Sequence, residues 1–180
     1  MAQTIIGLDI GSFSVKVSKV TASFRAVTWD AYHEYEIPHD RRKEPERAAA
    51  EVLAELGDKV GGTGAAVICA LPGDRVMTRF IKVPFNDPKK IDSILGFELE
   101  GQIPLGVEDM LYSYEVLGET EEGETEVFAA AVKHEYMEKY LERLTGAGLD
   151  PRVLTLDTVS YVNLYDHVAE SGTIAFVDMG

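Results

Sequence analysis

IIGLDIGSFSVKV, residues 5–17, joins a buried-type strand to a second strand through a turn that holds one glycine and two serine hydroxyls. Backbone N–H groups in such a turn can converge on a phosphate, because glycine lets the chain approach closely and the hydroxyls add donors. Asp9 ends the first strand. A carboxylate there suits a hydrated Mg²⁺, which prefers few carboxylates and several waters. No helix start follows Ser14, so the cradle predicted is strand–turn–strand rather than loop then helix. The same residues also spell an ordinary hairpin with a tight turn, and the stretch alone does not choose between the two.

Outward from this stretch, residues 14–21 and 24–37 continue as strands, giving a three-strand antiparallel meander. In the third, Val27, Trp29, Ala31, His33, Tyr35 and Ile37 alternate with polar residues and Tyr32, the period of a half-buried strand. His33 there reads as a packed or edge histidine rather than a ligand. A helix is predicted from Pro45, with Ala49, Val52, Leu53, Leu56 and Val60 at helical spacing and Gly57, Gly61 and Gly62 punctuating its end. The run 65–71 is continuous and apolar, as a strand covered on both faces would be.

After the turn Pro72-Gly73-Asp74 the pattern becomes strand (76–83), helix, strand (110–117) and strand (127–132), a small sheet with one helix. Asp87 as cap with Pro88 as first residue starts that helix, and Ile103-Pro104 ends it. A further helix (135–145), a short strand (153–156), a helix (158–168) capped at Asp157 or Thr158, and a buried-type strand TIAFVDMG (173–180) complete the chain.

The bulk properties exclude several classes. The chain has 180 residues, 46% hydrophobic and 27% charged, the balance of a globular protein with a real core. Its 31 acids against 17 Lys and Arg leave a formal charge of −14. Nucleic acid is therefore not expected as a partner, since phosphate-backbone binding needs clustered bases. The single cysteine, Cys69, lies in the apolar run AAVICAL and reads as a buried thiol in a reducing compartment. No apolar run reaches the roughly 18 residues of a membrane span, so a cytoplasmic protein is expected, held at a membrane only through partners.

Two strand-Asp-x-Gly turns occur, LDIG at 8–11 and VDMG at 177–180. Such a pair can face one nucleotide from opposite walls of a cleft. Here the sequence resembles the actin-like ATPase superfamily. More narrowly, GLDIGSFSVKV, LPGDRVMTRFIKVP, FELEGQIPLGVEDMLYSYEVL and TGAGLDPRVLTLDTVSYVNLY resemble the PilM family of type IV pilus assembly. The GspL family of type II secretion is the near relative, and both are similar in architecture to FtsA of cell division.

The resemblance implies an α/β fold: an actin-like ATPase (ribonuclease-H-like) first domain with an inserted strand-helix-strand-strand subdomain. Residues 1–74 and 135–171 would form the first domain and 75–134 the insert, whose C-terminal boundary could reach 148. Residues 172–180 would open a second domain, so the chain looks like part of a protein about twice as long. It further implies Asp9 near the metal, with Gly11, Ser12 and Ser14 along the phosphates of ATP. Lys16 would lie nearby, though it reads equally as a solvent-facing lysine. Asp178 and Gly180 match the second phosphate turn. Asp157 lies where the chain crosses between domains, and a helix cap explains it as well.

ATP and Mg²⁺ are thus expected cofactors of the full-length protein, held weakly or not at all by this chain. Catalysis is expected to be at most weak ATPase activity, and none in this chain alone. The implied function is a scaffold that holds a short cytoplasmic peptide of an inner-membrane pilus or secretion protein, by strand addition on 76–83 or 127–132. An FtsA-like division protein is the alternative, and a small-molecule kinase a more distant one. The unpaired terminal strand, Ile174 to Val177, is expected to be mobile or to form a homo-oligomer.

Overall fold

The computed structural model describes residues 2–41, 45–60, 64–104, 106–168 and 172–177. The chain forms two compact units, residues 1–73 with 140–180, and residues 74–139.

The first unit is built on a five-stranded sheet. Its strands are β1 (Gln3–Ile10), β2 (Ser14–Ala22), β3 (Val27–Glu36), β4 (Ala66–Leu71) and β8 (Pro151–Leu156), in the order β3-β2-β1-β4-β8. β1, β2 and β3 form the antiparallel meander, while β4 runs parallel to β1 and β8 parallel to β4. Ile6, Leu8, Val15, Val17, Val67 and Cys69 share one face by this register and are buried there. Helix α1 (Pro45–Val60) packs against β2 and buries Ala48, Ala49, Leu53 and Leu56. β4 is thus covered on one face only, since Ile68 and Ala70 on the other are half-buried.

Gly57 does not end α1, which continues to Val60. Its place is explained by packing, because a Cβ there would lie 1.8 Å from the Ala147 carbonyl oxygen. Ala147 follows α3 (His134–Gly146), whose Tyr140 and Leu144 are buried. The Tyr140 hydroxyl donates to the Ala70 carbonyl at 3.0 Å, fastening α3 to β4. Gly148, at φ +72°, takes the left-handed conformation that closes the helix, with the Leu149 N–H donating to the Leu144 carbonyl at 2.9 Å. Helix α4 (Asp157–Val168) follows β8 directly.

β3 departs from the half-buried strand expected. The register slips between Lys19 and Val20: Lys19 pairs with Ala31 but Val20 with Trp29, leaving Asp30 as an extra residue. This bulge moves Val27 and Trp29 to the face opposite Ala31, His33 and Tyr35, so the alternation seen in sequence is split between two faces. β3 is also an edge strand, and Trp29 remains 66% exposed. His33 is exposed on that edge, with its ring 6.2 Å from that of Tyr35.

The second unit is a three-stranded antiparallel sheet, order β5-β7-β6, with β5 (Val76–Val83), β6 (Met110–Glu119) and β7 (Thr125–Lys133). Helix α2 (Pro88–Glu100) covers one face, burying Ile91, Leu95 and Leu99 against Ile81, Val83, Val127, Ala129 and Ala131. The Asp87 side chain accepts the Lys89 N–H at 3.0 Å and Pro88 occupies the first turn, as the sequence predicts. α2 stops three residues before Ile103, which tucks into the core with its N–H on the Leu99 carbonyl at 2.9 Å. Because β7 is the central strand, 127–132 has partners on both sides and has no open edge for a peptide; β5 and β6 are the edges.

The strand expected from Thr173 is not formed among residues 172–177, which are exposed beside α4. A strand needs a neighbour to pair with, and here the segment is held by side chains instead. The Phe176 ring stacks on Tyr161 with centroids 5.5 Å apart, and the Tyr165 hydroxyl donates to the Gly172 carbonyl at 2.6 Å.

Candidate functional site

The open face of the first unit's sheet carries a cleft of about 740 Å³ at the C-terminal ends of β1 and β4. Asp9, Gly11, Ser12, Ser14 and Lys16 all line it, together with Glu34, Ala70, Pro72, Asp157, Ser160 and Tyr161. A shallower hollow of about 320 Å³ continues along the same face beside Trp29, Tyr32, Ile68 and Thr155.

The hairpin register assembles the charges. Asp9 pairs with Lys16, and Lys16 pairs in turn with Glu34, so an acid, a base and an acid stand in one row across β1, β2 and β3. Lys16 Nζ lies 3.5 Å from Asp9 Oδ2, with both side chains about half exposed. An ion pair this open contributes ~1 kcal/mol at most. Ser14 is buried at 4% exposure, and its hydroxyl donates to Glu34 Oε1 at 2.7 Å.

The turn itself is closed by the Gly11 N–H, which donates to the Ser14 carbonyl at 3.0 Å. A Cβ on Gly11 would press on that same oxygen at 3.2 Å, so the tight turn favours glycine there. The Gly11 amide is therefore committed to the turn. Side-chain donors lining the cleft include the Ser12 hydroxyl and the Lys16 ammonium, while the Ser14 hydroxyl is spent on Glu34.

The far wall is fixed by Asp157. Its Oδ2 accepts the Gly73 N–H at 3.0 Å across 84 residues, while its Oδ1 accepts the Thr158 N–H at the start of α4. Asp157 is the first residue of α4, and its carboxylate ties the β4 end to α4. Ser160 donates to the Leu156 carbonyl at 3.0 Å. Asp178 and Gly180, the second phosphate turn expected from sequence, lie outside the described residues.

Sequence reasoning missed Glu34. Counting outward from the Ser23–Ala26 turn in unbroken register pairs Lys16 with His33, and the bulge at Asp30 shifts the partner to Glu34. Cys69 is no part of the site's chemistry: burial pushes its thiol from 9.0 up to about 12. Among the described residues no three of His, Cys, Asp and Glu come together as a metal cage. The donor set suits an oxyanion, and the half-exposed Asp9 suits a cation that keeps its own waters.

A central β1 flanked by an antiparallel meander and two parallel strands, an Asp-x-Gly turn at the end of β1, and a sheet-and-helix unit inserted after β4 define an actin-like α/β protein. A family model described as type IV pilus assembly protein PilM matches residues 7–179. The chain belongs to the PilM family. The solved PilM–PilN type IV pilus biogenesis complex contains a chain similar at TM-score 0.76 and 27% identity, over 92% of this chain and 51% of that one. The cytoplasmic domain of EpsL, an inner-membrane component of the Vibrio cholerae type II secretion system, is similar in fold at TM-score 0.57 and 16% identity, over 86% of this chain and 57% of that one. The chain therefore spans about half the length of the PilM structure it matches. Among the described residues no helix is long and apolar enough to cross a membrane.

Proposed function

We propose that this chain is part of a cytoplasmic actin-like scaffold of the type IV pilus assembly platform, which binds Mg-ATP at the β1–β2 turn and a short peptide from an inner-membrane partner. The observation that carries the proposal is the Asp9–Lys16 turn, whose two serines line the cleft, in a chain of the PilM family. Ser12, Ser14 and Lys16 would hold the phosphates, and Asp9 would hold the hydrated Mg²⁺. When bound, the cation neutralises the phosphate charge that the carboxylates of this wall would otherwise repel.

The relative seen in complex with PilN supports a PilN-type membrane protein as partner. The formal charge of −14 favours a partner segment with basic residues. An open edge, β5 or β6, is the place where an extended peptide can add as a strand.

Mg-ATP should bind this chain weakly, because the Gly11 N–H is spent on the turn and the Ser14 hydroxyl on Glu34. Calorimetry with Mg-ATP should therefore give a dissociation constant well above the micromolar range. Mixing the chain with the cytosolic segment of a PilN-type protein should give a complex on size exclusion. A micromolar constant would refute the reading that these donors are committed elsewhere, and two separate peaks at tens of micromolar would count against the scaffold role.

A further inference from the structure

The row Asp9–Lys16–Glu34 places a second carboxylate beside the residues that would meet phosphate, where the turn's sequence gives no reason to expect one. Ser14 is buried, and its hydroxyl donates to Glu34 Oε1 at 2.7 Å. The proton that would serve an incoming oxyanion is thus already donated to an anion. Lys16 stands between two acids in register, with Asp9 Oδ2 3.5 Å from its ammonium. Counted together, one base and two acids give this wall a net charge of −1.

We infer that Glu34 makes phosphate binding at this turn conditional on a divalent cation, by holding the Ser14 hydroxyl and cancelling the charge of Lys16. The inference rests on the nucleotide site proposed above and deepens it by naming the residue that discriminates cation-loaded from bare polyphosphate. A bare polyphosphate meets the net negative row and must also take Ser14 from a charged acceptor, which holds a hydroxyl more tightly than a neutral one. A phosphate carrying Mg²⁺ arrives with most of its charge neutralised, and the two carboxylates then attract the cation. One extra negative charge about 5 Å from the phosphate, at an effective dielectric constant between those of water and protein, changes affinity roughly tenfold.

Glu34→Gln is the informative variant, since its amide oxygen still accepts from Ser14 while the charge is gone. The residue lies exposed on an edge strand, so the change leaves the core untouched. The amide signals of residues 11–16 would be followed by NMR during titration with ATP, and separately with inorganic tripolyphosphate, each with Mg²⁺ and with EDTA. Wild type should respond with Mg²⁺ at least tenfold more tightly than with EDTA. In Glu34→Gln that ratio should shrink roughly tenfold, mainly through tighter binding in EDTA.

An unchanged ratio in the variant, with clear binding in both, would overturn the role of Glu34 and leave the nucleotide site standing. No response of either protein to either ligand up to tens of millimolar would overturn the nucleotide site and this inference with it. A merely structural Glu34 would shift all four affinities together and leave the ratio alone.

Discussion

Replacing Asp157 by alanine should loosen the wall of the cleft that β4 and α4 form. The side chain makes two bonds: Oδ2 accepts the Gly73 N–H at 3.0 Å, and Oδ1 accepts the Thr158 N–H in the first turn of α4. A hydrogen bond to a charged acceptor contributes about 1.5–3 kcal/mol, and partial burial places this one near the lower figure. Loss of a carboxylate from the first turn of a helix costs up to ~1 kcal/mol. The sum is about 2–3 kcal/mol, which for a chain of this size corresponds to a fall in melting temperature of roughly 5–10 °C. Urea denaturation followed by far-UV circular dichroism would measure it, with Asp157→Asn alongside. Asparagine has a single acceptor oxygen and can keep only one of the two bonds, so it should recover about half or less of the stability lost in alanine. If Asp157→Ala stays within about 0.5 kcal/mol of wild type, the reasoning that Asp157 ties β4 to α4 is wrong.

Gly57→Ala would stabilise an ordinary exposed helix by up to ~1 kcal/mol; here the new methyl would sit 1.8 Å from the Ala147 carbonyl. A loss of about 1–3 kcal/mol is expected, and a gain in the same urea experiment would show that α1 and the segment after α3 do not touch. Leu95, fully buried on the inner face of α2 in the second unit, should cost about 2–5 kcal/mol on truncation to alanine; proteolysis should then cut preferentially within residues 74–139, and uniform cutting across the chain would speak against independent units. Burial raises the Cys69 thiol from 9.0 up to about 12. Folded and unfolded states are then both protonated below pH 9, so this contribution is complete there and is lost as pH rises from 9 through about 12. A thiol reagent at pH 8 should find no reactive group in the native chain and one per chain in denaturant, and Cys69→Ala should reduce the alkaline loss; rapid native labelling would contradict the burial.

Elements with strong local signals were legible in the sequence. β5 has the bounds expected, Val76 to Val83, and α2 starts at Asp87-Pro88 because an acid followed by proline satisfies the first turn by itself. What depended on long-range pairing was not. The bulge at Asp30 leaves the apolar alternation of β3 intact while turning half of it to the other face, and it changes the partner of Lys16 from His33 to Glu34. Gly57 looked like a helix stop because the backbone it approaches lies some ninety residues later in the chain. The apolar segment 173–177 has strand composition without a strand neighbour, and side-chain contacts from Tyr161 and Tyr165 hold it instead. The cleft residues Asp9, Gly11, Ser12, Ser14 and Lys16 could be chosen from sequence because one hairpin carries them all. Its far wall, from Ala70 to Tyr161, exists only once β4 and β8 lie side by side.

The proposed scaffold function is tested most directly by titrating this chain with a synthetic N-terminal peptide of a PilN-type inner-membrane protein in a calorimeter, with and without Mg-ATP. Saturable binding to the chain without nucleotide is expected, at a stoichiometry of one, because both compact units that could receive a peptide are present. No heat with this chain, where a chain twice as long binds the same peptide under the same conditions, would contradict the placement of the partner site in residues 1–180.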